Sequence, residues 1–303
     1  MDWQQEDMPT AERFVEKYNE LADNYSEAKS AVGSEFRQLI TGSVNSVEEG
    51  LSLLTRFDVP LNHSSLLSFA RELEDLLFTE VSELFHDVVS SMSSGDTPPN
   101  PVSAFAQKVL KGNGSYLTDL SKAHDIPSDI LTFFGVYLVR PIRQLARQTL
   151  ESHYAMDKWR FGYCPVCGLW PAMSRLEPEA SRRILWCVGC NGEWRFPRVS
   201  CPFCFETDQE KLGYLTLEGW NAHRIYTCES CRRYLKTRDE RVTAGSHASN
   251  LDADYLTSSL LDQAAIQERY AMDFVGLAAF DGLSSEAAVD YRKKVQITNN
   301  QNI

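Results

Sequence analysis

Eight cysteines stand in four C-x-x-C pairs, and the 303-residue chain has no others. They are Cys164 and Cys167 in "CPVCG", Cys187 and Cys190 in "CVGC", Cys201 and Cys204 in "CPFC", and Cys228 and Cys231 in "CESC". A C-x-x-C turn aims successive backbone N–H groups at its sulfurs. Two such turns supply the four thiolates of a tetrahedral metal site. Pairing neighbours gives one set of Cys164, Cys167, Cys187 and Cys190, with nineteen residues between its pairs. The other set is Cys201, Cys204, Cys228 and Cys231, with twenty-three. Crossed pairing, first with third and second with fourth, stays open, as in interleaved sites. Gly168 and Asn191 follow the first two pairs, where a left-handed residue is wanted. Phe205 and Arg232 follow the other two and predict less ideal knuckles. The expectation is two metal ions, iron or zinc, each held by four cysteines. Both ions suit four thiolates. Zinc would make closed structural sites, and iron would make rubredoxin-like centres able to carry one electron each. Four disulfides fit a reducing compartment poorly, and a thioredoxin-like pair would need a surrounding βαβ pattern that the sequence lacks.

The elements around the cysteines divide the chain. Residues 1–156 read as an all-helical domain. In "HSSLLSFARELEDLLFTEVSELFHDVVSSM", Leu66, Ala70, Leu73, Leu77, Val81, Leu84, Val88 and Met92 follow helical steps of three and four. Ser46 and Glu49 have the spacing of a capping box. "SSGDTPPNP" (93–101) reads as a loop, and Pro141 predicts a kink or break in the helix through "ILTFFGVYLVRPIRQLARQTL". Residues 157–199 read as a first four-cysteine ribbon and 200–241 as a second. "RRILWC" predicts a strand, and "KLGYLTLEGWNAHRIYTC" predicts a hairpin turning near Gly219. Residues 242–303 read as a C-terminal helix through "YLTSSLLDQAAIQERYAM" followed by a polar tail that frays. The fold class is therefore α+β: an all-helical N-terminal domain, two small rubredoxin-like or zinc-ribbon modules, and a C-terminal helix. The ribbon window is too small and interrupted for a large core, so bound metal is expected to supply its folding energy.

Charge narrows the function. The net charge of −12 opposes a general nucleic-acid binder. Residues 157–241 nevertheless hold 14 Lys and Arg against 11 Asp and Glu. Arg182, Arg183, Arg195, Arg198, Arg232, Arg233, Lys236 and Arg238 predict either a basic face or a balance to metal–thiolate charge. Beside Trp186, Trp194, Trp220 and Tyr234, such a face would suit a protein partner. The six histidines are scattered. No Ser/His/Asp arrangement, phosphate-binding glycine loop or spaced carboxylate pair marks an enzyme. "MDWQQEDMPTAERFVEKYNE" lacks the basic and apolar regions of a signal peptide. The longest apolar run, "ILTFFGVYLV", has ten residues, too few to cross a bilayer. A cytoplasmic protein without membrane insertion is expected.

The cysteine order and its surroundings resemble the formate dehydrogenase accessory protein FdhE family. The resembling text is "CPVCG" followed by Pro171, then "RRILWCVGCNGEWRFPRVSCPFC", then "YTCESCRRYLKT". Arg183, Trp194, Arg198, Tyr234, Leu235 and Lys236 match the family's pattern. "LVRPIRQLA" and the acidic helix start near Asp252 also look similar. Phe205 departs from it, standing where the family often has glycine. The resemblance implies a non-enzymatic, cytoplasmic maturation factor with metal, iron in the family, in rubredoxin-like ribbons. It implies a protein partner: the formate dehydrogenase catalytic subunit, bound before export by the twin-arginine route. Arg183, Trp194, Arg198, Tyr234 and Lys236 are the candidate partner-binding residues. Two other readings compete: a twin zinc-ribbon nucleic-acid-binding protein and a rubredoxin-like electron-transfer protein.

Overall fold

The computed structural model describes residues 8–28, 32, 35–76, 101–242, 251–271 and 286–301. Helices α1 (Met8–Ala28), α2 (Phe36–Gly42), α3 (Val44–Glu48), α4 (His63–Leu76), α5 (Pro101–Leu110), α6 (Gly114–His124) and α7 (Ser128–Glu151) build the N-terminal body. Their apolar stripes meet in one core. α4 buries Leu66, Phe69, Ala70 and Leu73, the first part of the expected stripe. Leu77, Val81, Leu84, Val88 and Met92 lie outside the described residues, as does most of the proline-rich loop.

Pro141 does not end its helix, for α7 runs through it. Proline has no N–H, so the carbonyl four residues back, that of Tyr137, loses its helical donor. The Tyr18 hydroxyl donates to that oxygen instead, at 2.8 Å. The capping box at Ser46 and Glu49 is not formed: Ser46 lies inside α3. The chain turns at Gly50, whose φ is 81°, into a short 3-10 turn at Leu53–Thr55. That turn lets the Leu53 and Leu54 amides donate to the carbonyls of Pro165 and Val166 at 2.9 and 3.0 Å.

Strands β1 (Met173–Leu176), β2 (Arg183–Cys187), β3 (Gly192–Phe196), β4 (Leu212–Leu215), β5 (His223–Cys228) and β6 (Tyr234–Asp239) form one sheet in the order β3-β2-β1-β6-β5-β4. Each cysteine segment contributes three antiparallel strands. The two segments join through parallel pairing of β1 with β6, where the Ser174 and Thr237 hydroxyls are 2.7 Å apart. The expected hairpin is β4 and β5, with Gly219 in its connection at φ 83°.

The expected C-terminal helix is two, α8 (Leu251–Thr257) and α9 (Ser259–Gln267), parted at Ser258. A further helix, α10 (Glu286–Gln301), occupies the segment expected to be a fraying tail. Tyr291 anchors it, with its ring packed among Tyr163, Trp170 and Phe205. α8 is tied to α7 by an ion pair of zero solvent exposure between Arg140 and Asp252. Its two N–O contacts are 3.0 and 2.5 Å. Among the described residues, no helix is long and apolar enough to cross a membrane.

Candidate metal centres

All four C-x-x-C pairs close the same turn. The residue after each second cysteine donates its N–H to the first cysteine's carbonyl: Gly168 to Cys164, Asn191 to Cys187, Phe205 to Cys201 and Arg232 to Cys228, each at 2.9 Å. These four residues have φ of 73°, 54°, 58° and 56°. Phe205 and Arg232 therefore take the left-handed conformation that only Gly168 and Asn191 announced. A side chain costs about 1–2 kcal/mol there. Packing offsets that cost at both positions. Phe205 is buried against Phe196 and Tyr291. Arg232 covers the Tyr270 ring and pairs with Glu229. Strands deliver the turns: β2 ends at Cys187, β3 begins at Gly192 and β5 ends at Cys228.

The turns meet as adjacent pairs. Cys164, Cys167, Cys187 and Cys190 converge in one group, and Cys201, Cys204, Cys228 and Cys231 in another, with sulfurs within 4.8 Å of one another. Cys164 and Cys190 sulfurs are 3.6 Å apart. Cys201–Cys231 and Cys204–Cys228 are both 3.7 Å. A tetrahedron with metal–sulfur bonds of about 2.3 Å has edges of about 3.8 Å, whereas a disulfide needs about 2.05 Å. The spacing fits a four-coordinate ion, and all eight cysteines are free thiols.

Electrostatics point the same way. Burial pushes the Cys164 and Cys167 thiols well above the ordinary range. Cys187 is buried too, yet hydrogen bonds from Cys164, Cys167 and Cys190 hold it well below that range. In the second set, hydrogen bonding to Cys204 pushes Cys201 up, and the same contact holds Cys204 down. Each set by itself thus keeps protons on some sulfurs so that others can ionise. A bound cation lets all four ionise, because it replaces those protons with its own charge.

The two sets differ in their surroundings. Every cysteine of the first is buried, whereas Cys204 and Cys231 of the second are half-buried. Ser52 donates to the Cys164 carbonyl at 3.0 Å, alongside the Leu53 and Leu54 bonds. α7 brings Arg143 against the second knuckle. A Cβ at Gly189 would lie 3.0 Å from Arg143 Nη1 and 2.6 Å from Leu169. The second set is capped by α10, where the Tyr291 hydroxyl accepts from Gly162 at 2.9 Å and donates to the Pro202 carbonyl at 2.7 Å.

Of the five candidate partner-binding residues, four are buried and tie the sheet to the segments around it. Trp194 donates to the Phe161 carbonyl at 3.0 Å. Tyr234 and Lys236 both reach Asp262 on α9 at 2.8 Å. Arg183 donates to the Ser200 carbonyl at 3.2 Å. Arg198 is exposed. The expected basic face is largely taken up internally. Arg182 pairs with Glu177 at 2.6 Å and Arg238 with Asp254 at 2.7 Å, and Arg233 lies over the Trp170 and Phe203 rings. Sequence reasoning missed Asp262, Asp254 and Tyr291, whose partners are distant along the chain. The pairing of Arg140 with Asp252 was half visible, since both stretches carried the family resemblance.

No family model matches the chain. In sequence it is 33% identical over 195 residues to Protein FdhE of Escherichia coli, covering 60% of this chain and 60% of that protein. It is 29% identical over 119 residues to the Protein FdhE homolog of Aquifex aeolicus, covering 38% of this chain and 41% of that protein. The matches thus span about two fifths to three fifths of those relatives' length. In fold it is similar to the crystal structure of the FdhE protein from Pseudomonas aeruginosa, with a TM-score of 0.59 over 88% of each chain at 21% identity. The sequence relatives show a likeness to FdhE proteins over part of their length, and the solved structure shows a shared fold.

Proposed function

We propose that this chain is a cytoplasmic accessory protein for formate dehydrogenase maturation. It holds two metal ions, each by four thiolates, and binds the catalytic subunit before export. The observation that carries the metal assignment is the convergence of four alike knuckles into two groups of four sulfurs at tetrahedral spacing. Cys164, Cys167, Cys187 and Cys190 hold the first ion, and Cys201, Cys204, Cys228 and Cys231 the second. Zinc would supply folding energy alone, and iron would add a one-electron couple. The likeness to FdhE proteins supports the accessory role, and no ligand position is left open for a substrate on a four-cysteine ion.

Arrangement around the ions suits a scaffold. The first is locked between the helical body and the sheet, so it fixes how the two meet. The nucleic-acid reading loses its main support, because Arg182, Arg232, Lys236 and Arg238 already face carboxylates. The electron-transfer reading keeps one: Cys204 and Cys231 are half-buried, which would bring an iron there close to solvent.

The test is an anaerobic pull-down of the tagged full chain from its own host. A formate dehydrogenase catalytic subunit should be enriched over a Cys228→Ser control. Recovery of nucleic acid, or of no dehydrogenase, contradicts the proposal. A reversible visible absorbance change on reduction would favour the electron-transfer reading.

A further inference from the structure

Among the described residues four arginines are buried: Arg140, Arg143, Arg183 and Arg238. Arg140 and Arg238 hold carboxylates, those of Asp252 and Asp254. Arg143 and Arg183 have a backbone carbonyl instead, that of Val109 at 2.7 Å and that of Ser200 at 3.2 Å. Nε and Nη1 of Arg143, and Nε and Nη2 of Arg183, are buried without a hydrogen-bond partner. Each of these two arginines stands beside one cysteine set. Gly189 lies between Cys187 and Cys190, and a Cβ there would be 3.0 Å from Arg143 Nη1. Arg183 walls a small space together with Cys201 and Cys228. Arg147, one turn further along α7, also reaches the first set. A Cβ at Gly192 would lie 2.9 Å from Arg147 Cδ and 3.0 Å from Cys190 Sγ. Its charge is already met, since Nη1 pairs with Glu151 at 2.8 Å.

A guanidinium stays protonated in a protein, and a buried charge needs an opposite one close by. Four thiolates on a divalent ion leave two negative charges over, and those too are buried. The two excesses stand side by side at each set. Positive charge beside such a centre favours its more negative state. It favours the metal-bound thiolates over protonated ones, and for iron the reduced ion over the oxidised one.

We propose that Arg143 is the buried counter-cation of the first metal centre, answering the excess negative charge of its four thiolates, and that Arg183 does the same at the second. Neither takes a ligand position. Each acts through the field it places on the sulfurs, and so sets metal affinity and, with iron, the reduction potential. The proposal rests on the reading of both cysteine sets as metal sites. It does not depend on the accessory role.

The experiment uses the full chain loaded anaerobically with iron. Iron content of the unaltered chain comes first: no iron in the cysteine sets overturns the metal reading and the proposal with it. With iron bound, a spectroscopic redox titration tests the proposal alone. The couple of the first ion is the one that remains in Cys228→Ser. Arg143→Met keeps an unbranched apolar stem and removes the charge. It should raise the ratio of oxidised to reduced iron about tenfold at a fixed potential, equivalent to about 59 mV for one electron. A chelator should compete for the first ion about tenfold better in the same variant. Arg143→Lys should bring both readouts back towards the unaltered chain, a rescue that lost packing would not show. Arg147→Met should move the couple less, because Glu151 already answers that charge. Arg183→Met should shift the second couple and leave the first in place. An unmoved couple in Arg143→Met, or an equal shift in Arg143→Lys, overturns the proposal. If Arg143→Met cannot hold the first ion, the lysine variant decides: retention of the ion supports the counter-cation, and loss in both variants overturns it.

Discussion

The two cysteine sets are built from the same turn and end up in different environments. In the first, all four cysteines are buried, and the backbone of Leu53 and Leu54 bonds directly to the knuckle at Pro165 and Val166. In the second, Cys204 and Cys231 are only half-buried, and Tyr291 from α10 bonds to the knuckle at Pro202. Local sequence sets the ligand geometry; what packs on it sets access and consequence. The first set is a joint between helices and sheet, and the second is a rim feature of the same sheet.

Removing one ligand from each set separates these roles and should give the largest effects. Structural metal binding contributes on the order of 10–16 kcal/mol to folding. Cys164→Ser should lose one ion per chain and also lower the thermal midpoint of the helical signal in circular dichroism. Cys228→Ser should lose one ion and lower that midpoint less, through α10 alone. A helical transition equally lowered by both would dissolve the distinction. The bonds from Ser52, Leu53 and Leu54 to the first knuckle are what carry the loss at Cys164 into the helical body.

How much of this was legible is itself a matter of range. A C-x-x-C turn is a local device, so its eight ligands and the left-handed residues Gly168 and Asn191 could be read directly. Phe205 and Arg232 hold the same conformation because Phe196, Tyr291 and Tyr270 are there to pack against them, and no adjacent residue says so. Likewise β2 and the β4–β5 hairpin announced themselves by alternation and turn residues. Parallel pairing of β1 with β6 did not, since its partners are about sixty residues apart. Pro141 looked like a break because the rescue of the Tyr137 carbonyl comes from Tyr18, more than a hundred residues away. The basic residues of 157–241 looked like a surface partly for the same reason: Lys236 and Arg238 meet Asp262 and Asp254 on α9 and α8, while Arg182 and Arg232 meet the nearby Glu177 and Glu229.

Next in size is the joint behind the first set. Asp252→Ala leaves Arg140 buried without its carboxylate, which should cost about 3–5 kcal/mol, read by urea unfolding. An unchanged midpoint would mean that the pair does not hold α8 to α7. Access should then distinguish the ions themselves. A chelator should take the second ion first, with a rate difference of roughly tenfold, equivalent to about 1.4 kcal/mol in local opening. Equal rates of release would show that half-exposure of Cys204 and Cys231 has no consequence.

Smaller effects probe the cover of the second set. Tyr291→Phe removes a hydroxyl that accepts from Gly162 and donates to Pro202. About 1–3 kcal/mol should be lost for the buried groups left unpaired, with faster release of the second ion. Acid gives the smallest test. Burial alone would raise Asp254, but the nearby His223 and the charge and hydrogen bond of Arg238 hold it below the ordinary 3.8. A depressed carboxylate stabilises the fold above the unfolded pKa, and the contribution is lost as pH falls through the folded one. Asp254→Asn should therefore flatten stability against pH in the acid range below about pH 4 and leave its shape above about pH 6 unaltered. A curve that stays as steep as before assigns the acid limb to other groups.

The most direct measurement of the central claim is metal content with X-ray absorption at the metal edge, on chain purified anaerobically from its own host. The account predicts two ions per chain, each with four sulfur neighbours at about 2.3 Å, falling to one ion in Cys228→Ser. Metal-free protein with eight freely alkylated thiols, or ions with nitrogen or oxygen in their first sphere, would contradict it.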